Sequence, residues 1–284
     1  MTENAIVTML EAEYHRDPCP APSLSARTLR TFLSQSPLHA WRKHPKLGGA
    51  PEEHRELWDL GTAGHALILE KNEDRFVIVE ADSWRTKDAK SQRDQAWDDG
   101  LIPILEEKYE NVLRMVKGFE RAKSRFTDTP PLMDAGKPEQ TLIWQEDGIW
   151  LRARLDWLRD DHAGIDDLKT TGSANPHAWI RTHLFRMGFD IQSAFYQRGL
   201  RAITGSVDYA AFRFALIENE APFAGSVVSL DPEAMFHAHD KVEQGIQRWR
   251  ACLESNKWPG YPTETCYAEA PAWDLAQWAE RDGD

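Results

Sequence analysis

The segment from Glu139 to Thr171 constrains the fold of this 284-residue chain more than any other. Three runs rich in Leu, Ile, Trp and Thr (EQTLIWQE, IWLRARLDWLR and IDDLKTT) are separated by Asp147-Gly148 and by Asp160-Asp161-His162-Ala163-Gly164. Short Asp/Gly turns between such runs predict hairpins, so the three read as an antiparallel meander. Side chains alternate faces along a strand. Asp167 and Lys169 therefore share one face of the third strand, while Asp166 and Leu168 point to the other. Asp156 lies eleven residues upstream on the second strand. Neighbouring strands lie about 4.8 Å apart, so the two carboxylates can share a cation.

Mg²⁺ prefers oxygen ligands and keeps several waters, which suits two acids and a phosphate oxygen. A lysine beside them can orient or deprotonate a water, or neutralise charge developing on phosphorus. The set suits phosphodiester hydrolysis. Residue types alone leave a second reading equally open, a solvated hairpin carrying a surface Asp–Lys pair.

His65 follows Gly61 and Gly64 in the helical pattern ELWDLGTAGHALILE. A glycine inside a helix costs about 1 kcal/mol against alanine, and close approach of this helix to the sheet would explain both. His65 then lies on a stripe with Trp58, Gly61 and Ile68 and can serve as a third ligand, a nitrogen that also suits Mn²⁺. The alternative is a packed or surface histidine. Gln192 and Tyr196 stand one helical turn apart in IQSAFYQ. They can hold a phosphate or orient the lysine; otherwise the tyrosine simply packs between helix and sheet.

A net charge of −12 argues against binding nucleic acid through overall positive potential. It leaves room for a local basic lining, because part of the acidity is terminal: Glu264 to Asp284 holds six acids and one base, Arg281. Candidate phosphate contacts are Arg27, Arg30, Arg42, Lys43 and Lys46, then Arg85, Lys87, Lys90 and Arg93, then Arg152 and Arg154. The last two are favoured because they share the face of Asp156 by strand alternation. Cys19, Cys252 and Cys266 form no CxxC pair, so neither a disulfide scaffold nor a structural zinc is expected. The first residues lack a basic start followed by an apolar run, and no apolar stretch approaches the roughly 20 residues that span a bilayer. A soluble, cytoplasmic protein with no membrane association is expected.

Residues 1–22 read as an N-terminal arm and 23–284 as a single domain, with a helical insertion at about 84–128. Ser23 or Ser25 caps a helix through ARTLRTFL that Pro37 redirects, KHPKLGGAPEE is a loop, and RFVIVE is a short strand. After the meander come helices through HAWIRTHLF and DIQSAFYQRGLRAIT and strands at YAAFRFALIE and SVVSL. A long helix from Asp231 and a short terminal one complete the chain. This order predicts an α+β fold, a central mixed β-sheet flanked by helices.

GxxxH on a helix, then R-x-D, D-x-K and QxxxY, in this order, resembles the PD-(D/E)XK nuclease superfamily with its restriction-endonuclease-like core. Within it the pattern is similar to the phage and prophage exonucleases of the RecE (exonuclease VIII) branch, relatives of the RecB nuclease domain. SLSARTLRTFLSQSPLHAW resembles the first helices of that group, and KWPGY with PAW its C-terminal end, so the likeness spans residues 23 to 275. The resemblance implies that His65, Asp156 and Asp167 bind the metal, Mg²⁺ with Mn²⁺ as substitute. It implies Lys169 as the catalytic lysine, Gln192 and Tyr196 as a motif beside the site, and Glu139 as an acid preceding the strand pair. It further implies action on the ends of linear double-stranded DNA from the 5′ side, leaving 3′ single-stranded tails for recombination. A ring-like homo-oligomer, a single-strand annealing partner and the cytoplasm of a bacterial or phage-infected cell belong to the same picture. The chain departs from the iron–sulfur members, which need four cysteines, and has Ser36-Pro37 where they often have Cys-Pro; no iron–sulfur cluster is expected. A structure-specific endonuclease and a non-catalytic DNA-end-binding protein of the same fold are the competing readings.

Overall fold

A computed structural model describes residues 4–49 and 60–281. Strands β1 (Ala5–Thr8) and β2 (Ser23–Ser25) flank helix α1 (Glu11–His15), and helices α2 (Ala26–Ser34) and α3 (Pro37–Lys43) follow. Helix α4 (Leu60–His65) runs on as a π-helical turn, Ala66–Glu70. Next come β3 (Phe76–Val79), α5 (Lys87–Asp98), β4 (Ile102–Leu105) and α6 (Glu106–Arg125). The meander is β5 (Gly136–Glu146), β6 (Ile149–Arg159) and β7 (Gly164–Thr171). Helices α7 (Pro176–Trp179) and α8 (Phe189–Thr204) lead to β8 (Ala211–Glu218) and β9 (Gly225–Val228), then α9 (Pro232–Ser255) and α10 (Ala272–Arg281).

The main sheet has the order β1-β5-β6-β7-β8-β9, with β2 added on β6. The β5–β6 hairpin turns at Asp147-Gly148, whose φ values of 48° and 82° are the two positive angles a type I′ turn requires. Strands β6 and β7 are antiparallel but pair only at Trp157–Asp166 and Leu158–Ile165, and then part. Beyond that point β7 pairs in parallel with β8 along its whole length. Strand β2 holds the first part of the same β6 edge, at Trp150–Arg152. The edge is therefore paired at both ends and unpaired between residues 153 and 156.

Helices cover both faces. On one, α2, α8 and α9 bury Leu29, Phe32, Phe195 and Trp249 against Trp144, Leu155 and Phe214 of the sheet. On the other, α4 and α6 bury Ala63, Met115 and Phe119 against Leu168, Ala215 and Ile217. Tyr109, Val112, Met115 and Phe119 recur at helical spacing, so α6 offers the sheet one apolar stripe while its other face carries charge. Within the stretch at about 84–128, α6 shares the cover of this face with α4 and its π-helical continuation. Strand β4 of the same stretch, a four-residue run too short to stand out from the flanking helices, pairs in parallel with β3. Ser25, the second of two candidate caps, accepts the Thr28 N–H at 3.2 Å and starts α2. Of the predicted helix 56–70, residues 56–59 lie outside the described residues, as do residues 50–53 of the preceding loop.

The N-terminal segment is not a free arm. Strand β1 pairs antiparallel with β5, and Asp17 is buried behind it. The Ser23 N–H donates to Asp17 Oδ2 at 2.9 Å and the Ser23 hydroxyl donates to Oδ1 at 2.7 Å. Arg152 Nη1 lies 3.3 Å from the same carboxylate and donates to the Ser23 carbonyl at 3.0 Å, with its guanidinium 5.2 Å from the Tyr14 ring centre. Arg152 is only 4% exposed. Strand alternation assigns its face correctly but cannot foresee that residues 14–25 cover it, so Arg152 is a structural cation and not a DNA contact.

Removing one partner of a buried ion pair costs about 3–5 kcal/mol, because the other charge is left without compensation. Asp17→Ala is therefore predicted to lower the urea midpoint by a corresponding amount, and an unchanged midpoint would show that Arg152 finds its compensation elsewhere.

Candidate active site

Where β6 and β7 part, side chains replace the missing ladder. The Leu168 N–H donates to Asp156 Oδ2 at 2.8 Å. The Leu168 carbonyl accepts from His65 Nε2 at 2.7 Å, so in this arrangement Nε2 carries the proton. The same nitrogen lies 3.4 Å from Asp156 Oδ2. Gly64 permits this placement of α4: a Cβ there would fall 2.0 Å from Met115 Cε and 3.8 Å from Thr170 Cγ2 of β7. Against the sheet this is ordinary contact, so the glycine marks tight packing of α4 on the Met115 side chain of α6 and not the expected close approach to the sheet. Of the stripe assigned to His65, Ile68 is buried in the α4–α6 core and Trp58 lies outside the described residues.

Glu139 joins from the opposite side. The β5–β6 register pairs Pro138 with Trp157 and Gln140 with Leu155, which sets Glu139 across from Asp156. Its φ of 56° is left-handed, a conformation costing a residue with a side chain about 1–2 kcal/mol. Arg154 Nε donates to Glu139 Oε2 at 2.5 Å, and Arg154 Nη1 donates to the Met9 carbonyl at 2.9 Å. One ligand atom each from His65, Glu139 and Asp156 lies within 4.8 Å of the others.

Asp167 and Lys169 stand on the α8 side of β7. Asp167 is fully buried; Gln192 Nε2 donates to its Oδ1 at 2.7 Å, and its Oδ2 is ion-paired with Lys169 Nζ. That ammonium is 4.9 Å from the Phe189 ring centre and 5.9 Å from that of Phe214. Asp166 points the other way, accepting from Met133 N–H at 2.7 Å and from Arg213 Nε at 2.6 Å. Tyr196 is buried one turn after Gln192, its ring 6.2 Å from Phe212. Arg30 of α2 is half-buried, its guanidinium 5.2 Å from the Phe189 ring, while Arg27 is exposed on α2.

The electrostatics favour a cation. Burial raises the Asp156 carboxyl well above its usual range, and the nearby Asp167 raises it further. Burial and Asp156 together push Glu139 up to about 7, against the pull of Arg154. Burial holds His65 below the usual imidazole value, the neutral form that ligates metals. Oxygen donors with one neutral imidazole nitrogen fit a hard or borderline divalent ion, whose binding would displace the protons the acids otherwise hold. The Leu168 carbonyl escaped the sequence reading, since a main-chain atom has no residue type to notice. The position of Glu139 was legible in principle, because a two-residue turn at 147–148 sets residue 139 opposite 156.

A raised carboxyl means the folded protein binds a proton that the unfolded chain has already released. Metal-free stability should therefore fall as the pH rises from the ordinary glutamate value of 4.5 through about 7. Glu139→Gln is predicted to stabilise the metal-free protein above this window by on the order of 1–3 kcal/mol and to flatten the pH slope within it. Thermal melts in EDTA at about pH 5 and about pH 8 check this; a variant that melts like the parent at both would refute it.

The family model described as "PDDEXK-like domain of unknown function (DUF3799)" matches residues 25–270. A crystal structure from Eubacterium rectale, named as that of a candidate exonuclease, is 14% identical. It covers 95% of this chain and 98% of that chain with a TM-score of 0.59, a likeness of fold. A second solved chain, also 14% identical, covers 71% of this chain and 97% of its own with a TM-score of 0.28 and carries no weight. No curated protein matches the sequence. With a family model spanning most of its length and a shared fold over nearly all of it, the chain belongs to the PDDEXK-like domain family, a nuclease-type fold.

Proposed function

We propose that the chain is a divalent-metal-dependent DNA exonuclease that hydrolyses phosphodiester bonds from the ends of linear duplexes. One observation carries the reading: His65, Glu139 and Asp156 bring ligand atoms within 4.8 Å of one another, and the Lys169 ammonium, paired to Asp167, is near enough to act on the Asp156 carboxyl. His65, Glu139 and Asp156 supply the ligand atoms that lie together, and Asp167, a ligand the resemblance implies, would join them by turning Oδ2 from Lys169 toward the ion. When bound, Mg²⁺ or Mn²⁺ polarises the scissile phosphate and lowers the pKa of a coordinated water. Lys169 orients or deprotonates the attacking water and offsets charge developing on the phosphate oxygens. Gln192 holds Asp167 Oδ1 and so turns Oδ2 toward the lysine. Burial raises the Tyr196 phenol well above its ordinary value, so it stays protonated as a donor beneath the site.

The resemblance to the RecE branch supports attack from the 5′ side, 3′ tails for recombination, a homo-oligomeric ring around the duplex, a single-strand annealing partner and a cytoplasmic place of action. A net charge of −12 with basic residues gathered locally suits such a ring. Among the described residues, no helix is long and apolar enough to cross a membrane.

Lys169→Ala is predicted to lower Mg²⁺-dependent degradation of linear duplex by about 10²–10³-fold or more, measured at a temperature where circular dichroism shows the variant folded, because loss of the Asp167 partner also lowers its thermal midpoint; undiminished cleavage would sink the assignment. Asp156→Asn should weaken Mn²⁺ binding in calorimetry, and an unaltered isotherm would remove it from the ligand set. A gel with 5′-labelled, 3′-labelled and closed circular DNA decides the mode. Early loss of the 5′ label with intact circles fits the exonuclease, whereas circles cut as readily as linear DNA replace it with an endonuclease.

A further inference from the structure

In a chain with 46 acids, residues 18–51 contain none, and neither do residues 168–189. The first stretch carries Arg27, Arg30, Arg42, Lys43 and Lys46; the second carries Lys169, Arg181 and Arg186. The fold joins them at one ring. The Arg30 guanidinium is 5.2 Å from the centre of Phe189, and Lys169 Nζ is 4.9 Å from it. Trp179 lies parallel to that ring, 5.5 Å away. Gly188, at φ 66°, completes the join, since a Cβ there would sit 3.0 Å from Arg30 Cγ.

Between Trp179 and Phe189 the chain runs through a π-helical turn, Ile180–Leu184, and then a tight turn. The Met187 N–H donates to the His183 carbonyl at 2.8 Å, the Gly188 N–H donates to the Phe185 carbonyl at 3.2 Å, and Leu184 is buried beneath. Phe185 and Met187 nevertheless point outward, 48% and 49% exposed, flanked by the exposed Arg181 and Arg186. Burial of Trp179 and Leu184 already anchors the turn; Lys241 Nζ lies 5.7 Å from the Phe185 ring centre and adds another cation, yet both apolar side chains keep about half their surface open. An apolar pair on a stretch whose own sequence carries bases and no acid fits an occupant with flat apolar faces and regularly spaced negative charge.

We propose that the turn at residues 180–188 is a binding platform for an unpaired nucleic-acid strand. Bases stack on Phe185 and Met187, and Arg181, Arg186 and Arg30 take phosphates on the path toward Lys169. The path toward Lys169 rests on the nuclease reading; the platform itself does not, and its test needs no cleavage.

The experiment measures fluorescence anisotropy of a labelled oligothymidine strand on the full-length protein in EDTA. The Phe185→Ala/Met187→Ala double variant should bind about tenfold more weakly, and Phe185→Trp in the Met187→Ala background should recover much of the loss. Phe236→Ala, which removes a 72% exposed ring from α9, should bind as the parent does. Arg186→Gln should reduce the slope of log affinity against log salt by about 0.7. The proposal is overturned if the parent binds no strand, if the double variant binds like the parent, or if Phe236→Ala loses as much. It is also overturned if the double variant changes only the subunit number in light scattering, which would make the pair a subunit contact. A parent protein that binds the strand but cleaves nothing with Mg²⁺ would defeat the nuclease reading and leave the platform standing.

Discussion

The hydrogen bond from the Leu168 N–H to Asp156 Oδ2 holds together two strands that have stopped pairing. A continuous β6–β7 ladder would bury both main chains in each other and leave no place for a ligand. Instead β7 turns to β8 after two residue pairs, and the carboxylate of Asp156 bridges the gap as a surrogate acceptor. That divergence admits His65 from the α4–α6 layer and leaves Glu139 of β5 facing the same space. Asp167, Lys169 and Gln192 occupy the α8 side of the same fork. The site is thus a property of strand divergence, with each helical layer contributing what its own face can reach.

The chain uses its acids in two distinct ways. Asp17 and Asp166 are buried with full complements of donors, Ser23 and Arg152 for one, Met133 and Arg213 for the other, and they fasten the N-terminal segment and the 130–133 loop to the sheet. Asp156 and Glu139 are under-compensated, and burial lifts both carboxyls above their ordinary range. Asp167 keeps one oxygen tied to Gln192 and offers the other to a lysine. Satisfied acids stabilise the fold; crowded, partly satisfied ones create a demand for positive charge.

Much of this was legible in local sequence. The Asp147-Gly148 turn and the alternation that separates Asp167 from Asp166 each have a short-range signature, and each led to the right element. What escaped was set by distant parts of the chain. Arg152 lies on the expected face but disappears beneath residues 14–25, and α6 looks like a charged appendage until the apolar face of β7 and β8 is there to receive it. Period and turn chemistry report how a segment is built. They do not report what later packs on it.

The span of the His65–Leu168 hydrogen bond, 103 residues, bears on when the site comes into being. Its groups come from α4, β5, β6, β7 and α8, and β7 is fixed in place only when β8 arrives after the α7–α8 crossover. Loops of this length close late, because their entropy must be offset before distant contacts contribute. A nascent chain that ends before β8 holds the acids and the lysine but lacks the partner strand that aligns them. Assembly of the candidate site is therefore tied to the strand that arrives after the α7–α8 crossover.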